Sequence, residues 1–511
     1  MHRGRAEREK GCVPFLYDHA VIDRLHSRAG LLAAFLLGAQ FGPPADAKPV
    51  LEDCRISDAD GLVSIAARCG RLTVPENPAE PDGDSIDLAI AVVPAIATRA
   101  KPDPVFLLAG GPGQGAIEAY APVLGAYAGL RRERDIVLVD QRGTGGSNRL
   151  DCDMPEDAIE TGELSSDQLR ELARACLATL PGRPEFYTTS IAVGDLEAVR
   201  SALGYAELNL IGGSYGTRVA QHYARRYPGR TRSIVLDAVV PPTLALVPQI
   251  AIESQRALDR VFERCADDPD CNERFPALAQ QFARVNARLK RAPVPVTIAD
   301  PVTGESRKLE VTRGHLITMA RMLTYSARMA SLLPLVLHEA ATNGNYAPLA
   351  AQGEMIGDDL ERMIAMGMHH SVVCAEDAPR FAGAVDHAKL ERTFLGPLMQ
   401  DGMTAICEVW PRGPVDPDFG EPIDSAVPAL LLSGGFDPAT PVEYGATAAA
   451  GFERSLHVVV PGQGHGQVRL YCVQRLIRRF IDAASAADLD TACVDQIRPA
   501  PFFLNFNGSA P

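Results

Sequence analysis

Residues 208–216 read Leu-Asn-Leu-Ile-Gly-Gly-Ser-Tyr-Gly, and a helical pattern follows them over residues 217–227. The apolar run predicts a buried strand, which places Ser214 at a sharp turn between strand and helix. Gly212 and Gly216 suit a strained, closely packed turn in which a β-carbon would collide with neighbouring backbone. The pattern therefore predicts a nucleophile elbow that holds the Ser214 hydroxyl clear of the sheet. A plain glycine-rich turn is the alternative, because G-x-S-x-G is common by chance.

Strands and helices alternate on both sides of this turn. Helical patterns cover residues 167–180 and 191–203, and the first has Ser165 and Gln168 at capping-box spacing. This alternation predicts an α/β fold with right-handed βαβ units and a doubly wound, mostly parallel sheet. The functional site should then lie at the carboxyl ends of the strands. Continuous Val, Ile and Leu runs of the kind found in strands covered on both faces occupy residues 104–109, 135–139, 233–237, 429–434 and 455–461.

The alternation stops after residue 240 and resumes near residue 423. Between these points helical patterns dominate, with one hairpin-like pair at residues 294–298 and 308–311. We interpret residues 241–422 as an inserted, mainly helical cap domain. The sheet core then comprises residues 48–240 and 423–511.

Residues 1–47 have the order of a secretory signal peptide: basic residues, an apolar run at 29–41, and Ala-Asp-Ala at 45–47. We expect cleavage after Ala47 and a secreted or periplasmic mature protein; a retained anchor is the alternative. No later run approaches the ~20 apolar residues of a membrane span. The net charge of −14 and the scattered Lys and Arg residues argue against nucleic-acid binding.

The predicted cleavage removes Cys12 and leaves ten of the eleven cysteines. An even number in an exported chain predicts disulfides, whereas free buried thiols in a cytosolic enzyme are the alternative. Sequence alone cannot choose the pairing, but neighbouring cysteines fall into short loops. No cysteine or histidine cluster has zinc spacing, and no metal is predicted. The simplest pairing joins Cys54 with Cys69, Cys152 with Cys176, Cys265 with Cys271, Cys374 with Cys407, and Cys472 with Cys493.

A serine nucleophile needs a base and a carboxylate that orients the base, and after an elbow they follow in the order acid, then histidine. The strand at 429–434 leads to Asp437, and the strand at 455–461 leads to His465. We predict Asp437 as the acid and His465 as the base. Taken singly, a turn-forming aspartate and a histidine in a flexible glycine loop are the alternatives. Weaker rivals are His457 for the base and Asp237, Glu408 and Asp424 for the acid.

The oxyanion of an acyl-transfer transition state must be met by backbone N–H groups. One donor should be the amide of Tyr215, directly after Ser214. The second should come from residues 110–113, Gly-Gly-Pro-Gly, where Gly111 is the best candidate since Pro112 has no N–H. A phosphate-binding loop is the alternative, but no Lys-Ser or Lys-Thr follows these glycines.

These motifs, together with Asp-Gln-Arg-Gly-Thr-Gly at residues 140–145, resemble the proline iminopeptidase and tripeptidyl aminopeptidase group of α/β-hydrolase serine peptidases. The resemblance extends from residue 86 onward. Residues 374–377 (Cys-Ala-Glu-Asp), Cys407 near Trp410, and the last two cysteines are similar to the secreted tripeptidyl aminopeptidase branch. The resemblance implies the α/β-hydrolase fold and release of short N-terminal units from peptides, without metal or organic cofactor. One departure is Ala109, where many iminopeptidases have a histidine.

An exopeptidase of this kind must bind a free α-amino group, for which Glu376 and Asp377 are candidates. A solvated charged pair or structural caps are the alternatives. Asp140 and Arg142 should stabilise the mouth of the sheet by ion pairing. We expect a secreted serine aminopeptidase acting on peptides with a free N-terminus. An esterase or lipase-like hydrolase with the same triad stays open, as does a non-catalytic hydrolase-fold binding protein.

Overall fold

The computed structural model describes residues 48–58, 61–152, 164–299 and 304–509. The predicted signal peptide at residues 1–47 lies outside this described part. Among the helices that are described, none combines the length and the apolar character needed to cross a bilayer.

The centre of the fold is a nine-stranded, mostly parallel sheet. Its main strands, in chain order, are β1 (Glu52–Ser57), β2 (Ser64–Pro75), β3 (Ser85–Val93), β4 (Val105–Leu108), β5 (Ile136–Val139), β6 (Leu208–Gly213) and β7 (Thr231–Asp237), with β10 (Ala429–Gly434) and β11 (Ser455–Val460) after the insertion. The spatial order is β1-β2-β3-β5-β4-β6-β7-β10-β11. The pairs from β5 to β11 are parallel, whereas β1 to β3 and the join of β3 to β5 are antiparallel. The predicted fold class is confirmed.

Helices cover both faces of this sheet. In β4, Phe106 and Leu108 pack into one apolar cluster, and Val105 and Leu107 pack into another on the opposite face. All four residues of β4 are buried, which explains why its sequence is continuously apolar rather than alternating. The first cluster is covered by the helices Thr189–Leu203 and Tyr215–Arg226, the second by the helices Ala116–Tyr120, Ala128–Arg131 and Tyr471–Ala483.

A mainly helical insertion separates β7 from β10, as predicted. It carries its own apolar cluster and one antiparallel hairpin, β8 (Val294–Ala299) with β9 (Ser306–Val311). Its predicted boundaries at residues 241 and 422 stay a prediction. Its helices are Leu246–Asp267, Pro269–Arg274, Leu278–Leu289, Arg313–Leu323, Ala327–Ala330, Leu333–Thr342, Ala347–Met363, Met366–Val372, His387–Leu390 and Leu398–Cys407.

One part of the insertion returns to the sheet. Ala365, Met368 and Val372 belong to the same apolar cluster as the core strands rather than to the cluster of the insertion. The helix Met366–Val372 continues into a π-helical turn, Val373–Asp377. This arrangement brings a short stretch of the insertion against the carboxyl ends of the strands.

Two further helices complete the core: Ser166–Leu177 before β6, and Val442–Ala449 between β10 and β11. The first begins with the predicted capping box of Ser165 and Gln168. Five disulfides join the cysteines in the pairing that the short loops predict, which is thereby confirmed. Disulfides at this density are typical of proteins that mature in an oxidising compartment.

Candidate active site

Ser214 occupies a strained turn between β6 and the helix Tyr215–Arg226. Its φ of 53° and ψ of −124° are unfavourable for a residue with a β-carbon. The turn is also crowded: a β-carbon at Gly212 would lie 2.3 Å from the Gly216 carbonyl oxygen, and one at Gly216 would lie 2.2 Å from the Leu108 carbonyl oxygen. The two glycines are thus required for the reason that the motif predicts, and the turn presents Ser214 at the end of the sheet.

Asp437 and His465 lie together on the loops that follow β10 and β11. The imidazole Nδ1 is 2.8 Å from Asp437 Oδ2 and 3.0 Å from Oδ1. The carboxylate also accepts the N–H groups of Ala439 and Thr440 at 2.9 and 2.8 Å, and the Thr440 hydroxyl at 2.7 Å. An ionised carboxylate only accepts, so Nδ1 carries the proton and Nε2 keeps its lone pair. This is the tautomer that a general base needs.

The surroundings of His465 also favour its protonated form. Burial is the largest influence and lowers the pKa of the imidazole, but the charge and hydrogen bond of Asp437 raise it, as does the charge of Asp237. The net pKa lies above the ordinary value of 6.5. The imidazolium formed by taking a proton from a serine is therefore stabilised where it arises.

The nucleophile and the histidine loop are tied together through Asp237, at the end of β7. Its carbonyl oxygen accepts the N–H of Ser214 at 2.9 Å, and its carboxylate accepts the N–H groups of Gln467 and Val468 at 2.8 to 3.0 Å. In the described residues no hydrogen bond joins the Ser214 hydroxyl to His465. Such bonds are often completed only in the substrate complex. Asp237 thus serves the site as a support rather than as the acid.

Tyr325, from the insertion, covers the histidine, and the sequence motifs do not reveal it. Its ring lies 4.9 Å from the His465 ring in an edge-to-face arrangement. Its carbonyl oxygen accepts the N–H of His465 at 2.7 Å. A β-carbon at Gly464 would come within 2.4 Å of the same oxygen, so the glycine loop allows this close approach.

The glycine loop after β4 lies over the nucleophile. A β-carbon at Gly110 would lie 3.2 Å from the Ser214 Cβ, and Gly111 has a φ of 105° that favours glycine. The insertion holds this loop from the other side: the N–H of Ala365 donates to the Gly113 carbonyl at 3.0 Å, and His369 Nδ1 lies 3.2 Å from the Pro112 carbonyl. The loop therefore lies beside Ser214, and the roles of the Gly111 and Tyr215 amides as oxyanion donors stay a prediction.

Residues 103–468 match the family model described as alpha/beta hydrolase fold. The chain belongs to the α/β-hydrolase family. The serine protease Hip1 of Mycobacterium tuberculosis is 26% identical over 445 residues, which cover 82% of this chain and 84% of Hip1. The tripeptidyl aminopeptidase of Streptomyces lividans is 31% identical over 208 residues, 38% of each chain. The crystal structure of a proline iminopeptidase from Mycobacterium smegmatis is 16% identical, covers 81% of this chain and 98% of its own, and has a TM-score of 0.39.

The family match and the two sequence relatives confirm the resemblance that the motifs indicate. The family makes the chain a hydrolase, and its relative Hip1 is named a serine protease. Within the described residues of this α/β-hydrolase, no group of three or more His, Cys, Asp or Glu side chains is arranged to hold a metal ion.

Arg142 of the α/β-hydrolase is a structural residue. Its guanidinium is fully buried and binds Asp195 through two bonds of 2.6 and 2.8 Å, and it also donates to the carbonyls of Glu76 and Phe186. The expected ion pairing is confirmed for Arg142. For Asp140 it is wrong, because its carboxylate accepts backbone N–H groups at 2.9 Å and forms no ion pair within the described residues.

Glu376 and Asp377 lie inside the hydrolase, in the π-helical turn, and both side chains have no exposed area. Asp377 is 3.0 Å from Arg218 and 3.1 Å from Arg380. Glu376 accepts the N–H of Thr189 at 2.6 Å and its hydroxyl at 3.0 Å. The two carboxylates are therefore not a solvated pair, and they face two guanidinium groups of opposite charge.

This buried network reaches the residue that follows the nucleophile. The Thr189 hydroxyl lies 2.5 Å from the Tyr215 hydroxyl, which also accepts a hydrogen bond from Gln141 at 3.1 Å. Burial is the main reason that the pKa of Glu376 is raised to about 7, although Arg218 and Thr189 act to lower it. Glu376 is thus connected to the elbow through a threonine hydroxyl.

The other candidates for the base and for the acid make different contacts in the hydrolase. His457 lies within β11 and is bonded to the Ser433 hydroxyl at 2.9 Å. Glu408 forms an exposed ion pair with Arg170. Asp424 lies exposed before β10. The carboxylate that contacts His465 is that of Asp437.

Proposed function

We propose that this hydrolase is a serine aminopeptidase with Ser214 as nucleophile, His465 as general base and Asp437 as the orienting acid. The observation that carries the proposal is the bonded His465–Asp437 pair on the loops next to a strained serine elbow. All three side chains follow the carboxyl ends of parallel strands, β6, β10 and β11, in the chain order serine, acid, histidine. The names of the curated relatives, a serine protease and a tripeptidyl aminopeptidase, support a peptide substrate.

The proposed reaction proceeds through an acyl-enzyme. His465 takes the proton of the Ser214 hydroxyl while the oxygen attacks the scissile carbonyl, and the amides of Gly111 and Tyr215 hold the oxyanion. The imidazolium then gives its proton to the leaving amine as the C–N bond breaks. A water molecule, activated by the same imidazole, hydrolyses the ester on Ser214 and frees the N-terminal fragment.

For the substrate amino group we propose the acidic pair in the π-helical turn. Glu376 is the direct contact, because Asp377 is already bonded to two guanidinium groups. The substrate ammonium group would donate a hydrogen bond to the Glu376 carboxylate in place of the Thr189 hydroxyl. Its positive charge would favour the ionised form of Glu376. The disulfide between Cys374 and Cys407 fixes this turn to the helix Leu398–Cys407, so the carboxylate is held on a rigid support.

We propose further that the mature protein is exported after cleavage behind Ala47. The order of residues in the first 47 positions and the five disulfides of the described part support this localisation.

A matched set of peptides tests the proposed activity. Unblocked and N-acetylated forms of each peptide, with and without proline, are incubated with the enzyme and the products are identified by mass spectrometry. We expect fragments released only from unblocked N-termini and none with Ser214→Ala. A fluorophosphonate should label the wild type and not the Ser214→Ala variant. Cleavage of short esters without cleavage of any peptide would replace the proposal with an esterase, and no labelling at all would leave a non-catalytic protein.

A further inference from the structure

Arg321 stands beside the proposed catalytic histidine. It lies in the last turn of the helix Arg313–Leu323, in the insertion. Its Nη2 donates to the Tyr325 hydroxyl at 3.0 Å, and the guanidinium carbon lies 5.6 Å from the centre of that ring. The same ring lies 4.9 Å from the His465 ring, measured between ring centres, in an edge-to-face arrangement. Tyr325 therefore contacts both Arg321 and the proposed base.

The guanidinium of Arg321 has few partners in the protein. Its Nε is buried without a hydrogen-bond partner, and its Nη1 has only the sulfur of Met322 at 3.8 Å. Within the described chain no carboxylate pairs with it, whereas the buried Arg142 and Arg218 both bind aspartates. A guanidinium offers five N–H donors, and a charge partly removed from water favours an anionic partner.

Arg321 influences two histidines of the site electrostatically. Its positive charge acts to lower the pKa of His465 and also the pKa of His369, which contacts the glycine loop. In acyl transfer the histidine gives its proton to the leaving group. Side chains that border the histidine therefore lie nearest to the leaving part of the substrate.

We propose that Arg321 binds a carboxylate on the leaving-group side of the substrate. In the aminopeptidase reaction, on which this part of the inference rests, the anion is the C-terminal carboxylate of a short peptide or an acidic side chain just after the scissile bond. The planar guanidinium can grip either one through two parallel hydrogen bonds. The hydrolase thus selects short or acidic peptide substrates at this position.

Two peptide pairs distinguish the sources of the carboxylate. The first pair differs in a C-terminal carboxylate or carboxamide, and the second differs in Glu or Gln after the scissile bond. For at least one pair we expect wild-type kcat/KM to favour the anionic member by about tenfold or more. Arg321→Gln should remove this preference and Arg321→Lys should keep part of it. Equal kcat/KM for both members of both pairs in the wild type would overturn the proposal.

An ester pair keeps the test independent of peptidase activity. The acetate ester of 4-hydroxybenzoate carries a carboxylate on its leaving group, and the same compound as its methyl ester does not. We expect the wild type to prefer the anionic ester by about tenfold and Arg321→Gln to lose the preference. Arg328→Gln, at an exposed position of the same region, is the matched control and should keep it.

The ratio of the two rates is compared, so differences in enzyme amount or folding cancel. If the wild type cleaves no peptide but shows the ester preference, the aminopeptidase proposal fails and the anion site stands. If peptides are cleaved but Arg321→Gln changes the rates of both members of every pair equally, the anion site fails alone.

Discussion

Replacing Glu376 by Gln should stabilise the folded hydrolase at alkaline pH. Burial raises the pKa of this carboxyl to about 7 from 4.5, chiefly by disfavouring the charged form. The carboxyl therefore contributes stability below pH 4.5, where both states are protonated, and this contribution is lost as the pH rises towards 7. A pKa difference of this size corresponds to about 3 kcal/mol, because one unit is about 1.4 kcal/mol.

Gln at this position has no charge to bury. Its carbonyl can accept the N–H of Thr189, and its amide can donate to the Thr189 hydroxyl, so the network of Glu376 is preserved. The free energy of unfolding of Glu376→Gln relative to the wild type should rise by about 2 to 3 kcal/mol between pH 5 and pH 8. Urea unfolding without reductant at both pH values measures it.

Glu408→Gln provides the matched control, because Glu408 is exposed and pairs with Arg170 at the surface. Its relative stability should change by less than about 1 kcal/mol between the two pH values. If Glu376→Gln shows the same small change, Glu376 does not carry the burial cost inferred here. Glu376→Gln should also lower kcat/KM on unblocked peptides but not on a small ester. If the variant retains both activities equally, Glu376 does not contact the substrate amino group.

Three further predictions concern the site. In the dependence of kcat/KM on pH, the acid limb should have its midpoint above pH 6.5, because the pKa of His465 is raised. A kcat/KM that does not change from about pH 5 to 8 would contradict a histidine base. Asp237→Asn should move this limb to lower pH by removing a charge that raises the pKa of His465; an unchanged limb would show that its charge does not act there. Gly216→Ala should lower the free energy of unfolding by about 3 kcal/mol or more, because the added β-carbon would lie 2.2 Å from the Leu108 carbonyl oxygen. Gly213→Ala should leave the stability nearly unchanged, because the nearest atom to its β-carbon would be 3.6 Å away. Denaturant unfolding of the two variants compares these effects.

The sheet, the elbow and the acid–histidine pair could be predicted because short local stretches of sequence indicate each of them. β4 and β10 are short, continuously apolar runs, and a polar residue follows each strand that supplies the site. Asp437 and His465 follow their strands within five residues. The sequence pattern does not reveal the first two strands, β1 and β2, because only scattered residues of these antiparallel strands are buried and the alternation of apolar and polar residues is weak.

The contacts made by the insertion could not be predicted from local sequence. Tyr325 and Arg321 reach the site only because the fold brings the end of the helix Arg313–Leu323, and the residues just after it, against the His465 loop. Nothing in the sequence next to these two residues marks them. Thr189 likewise meets Glu376 across the fold. Within the insertion, a turn at Ser331 and Leu332 divides one stretch of helical pattern into two helices, Ala327–Ala330 and Leu333–Thr342.

The position of β10 next to β7 has a consequence for biosynthesis. The residues of β7 are almost all buried in the finished protein, yet one edge of this strand has no neighbour until the whole insertion has been made. A nascent chain that ends before β10 leaves this apolar strand edge without its partner, and an unpaired apolar edge is a template for aggregation. The same nascent chain contains the proposed nucleophile but neither the proposed acid nor the proposed base, so under the proposed mechanism hydrolytic activity begins only when synthesis is nearly complete.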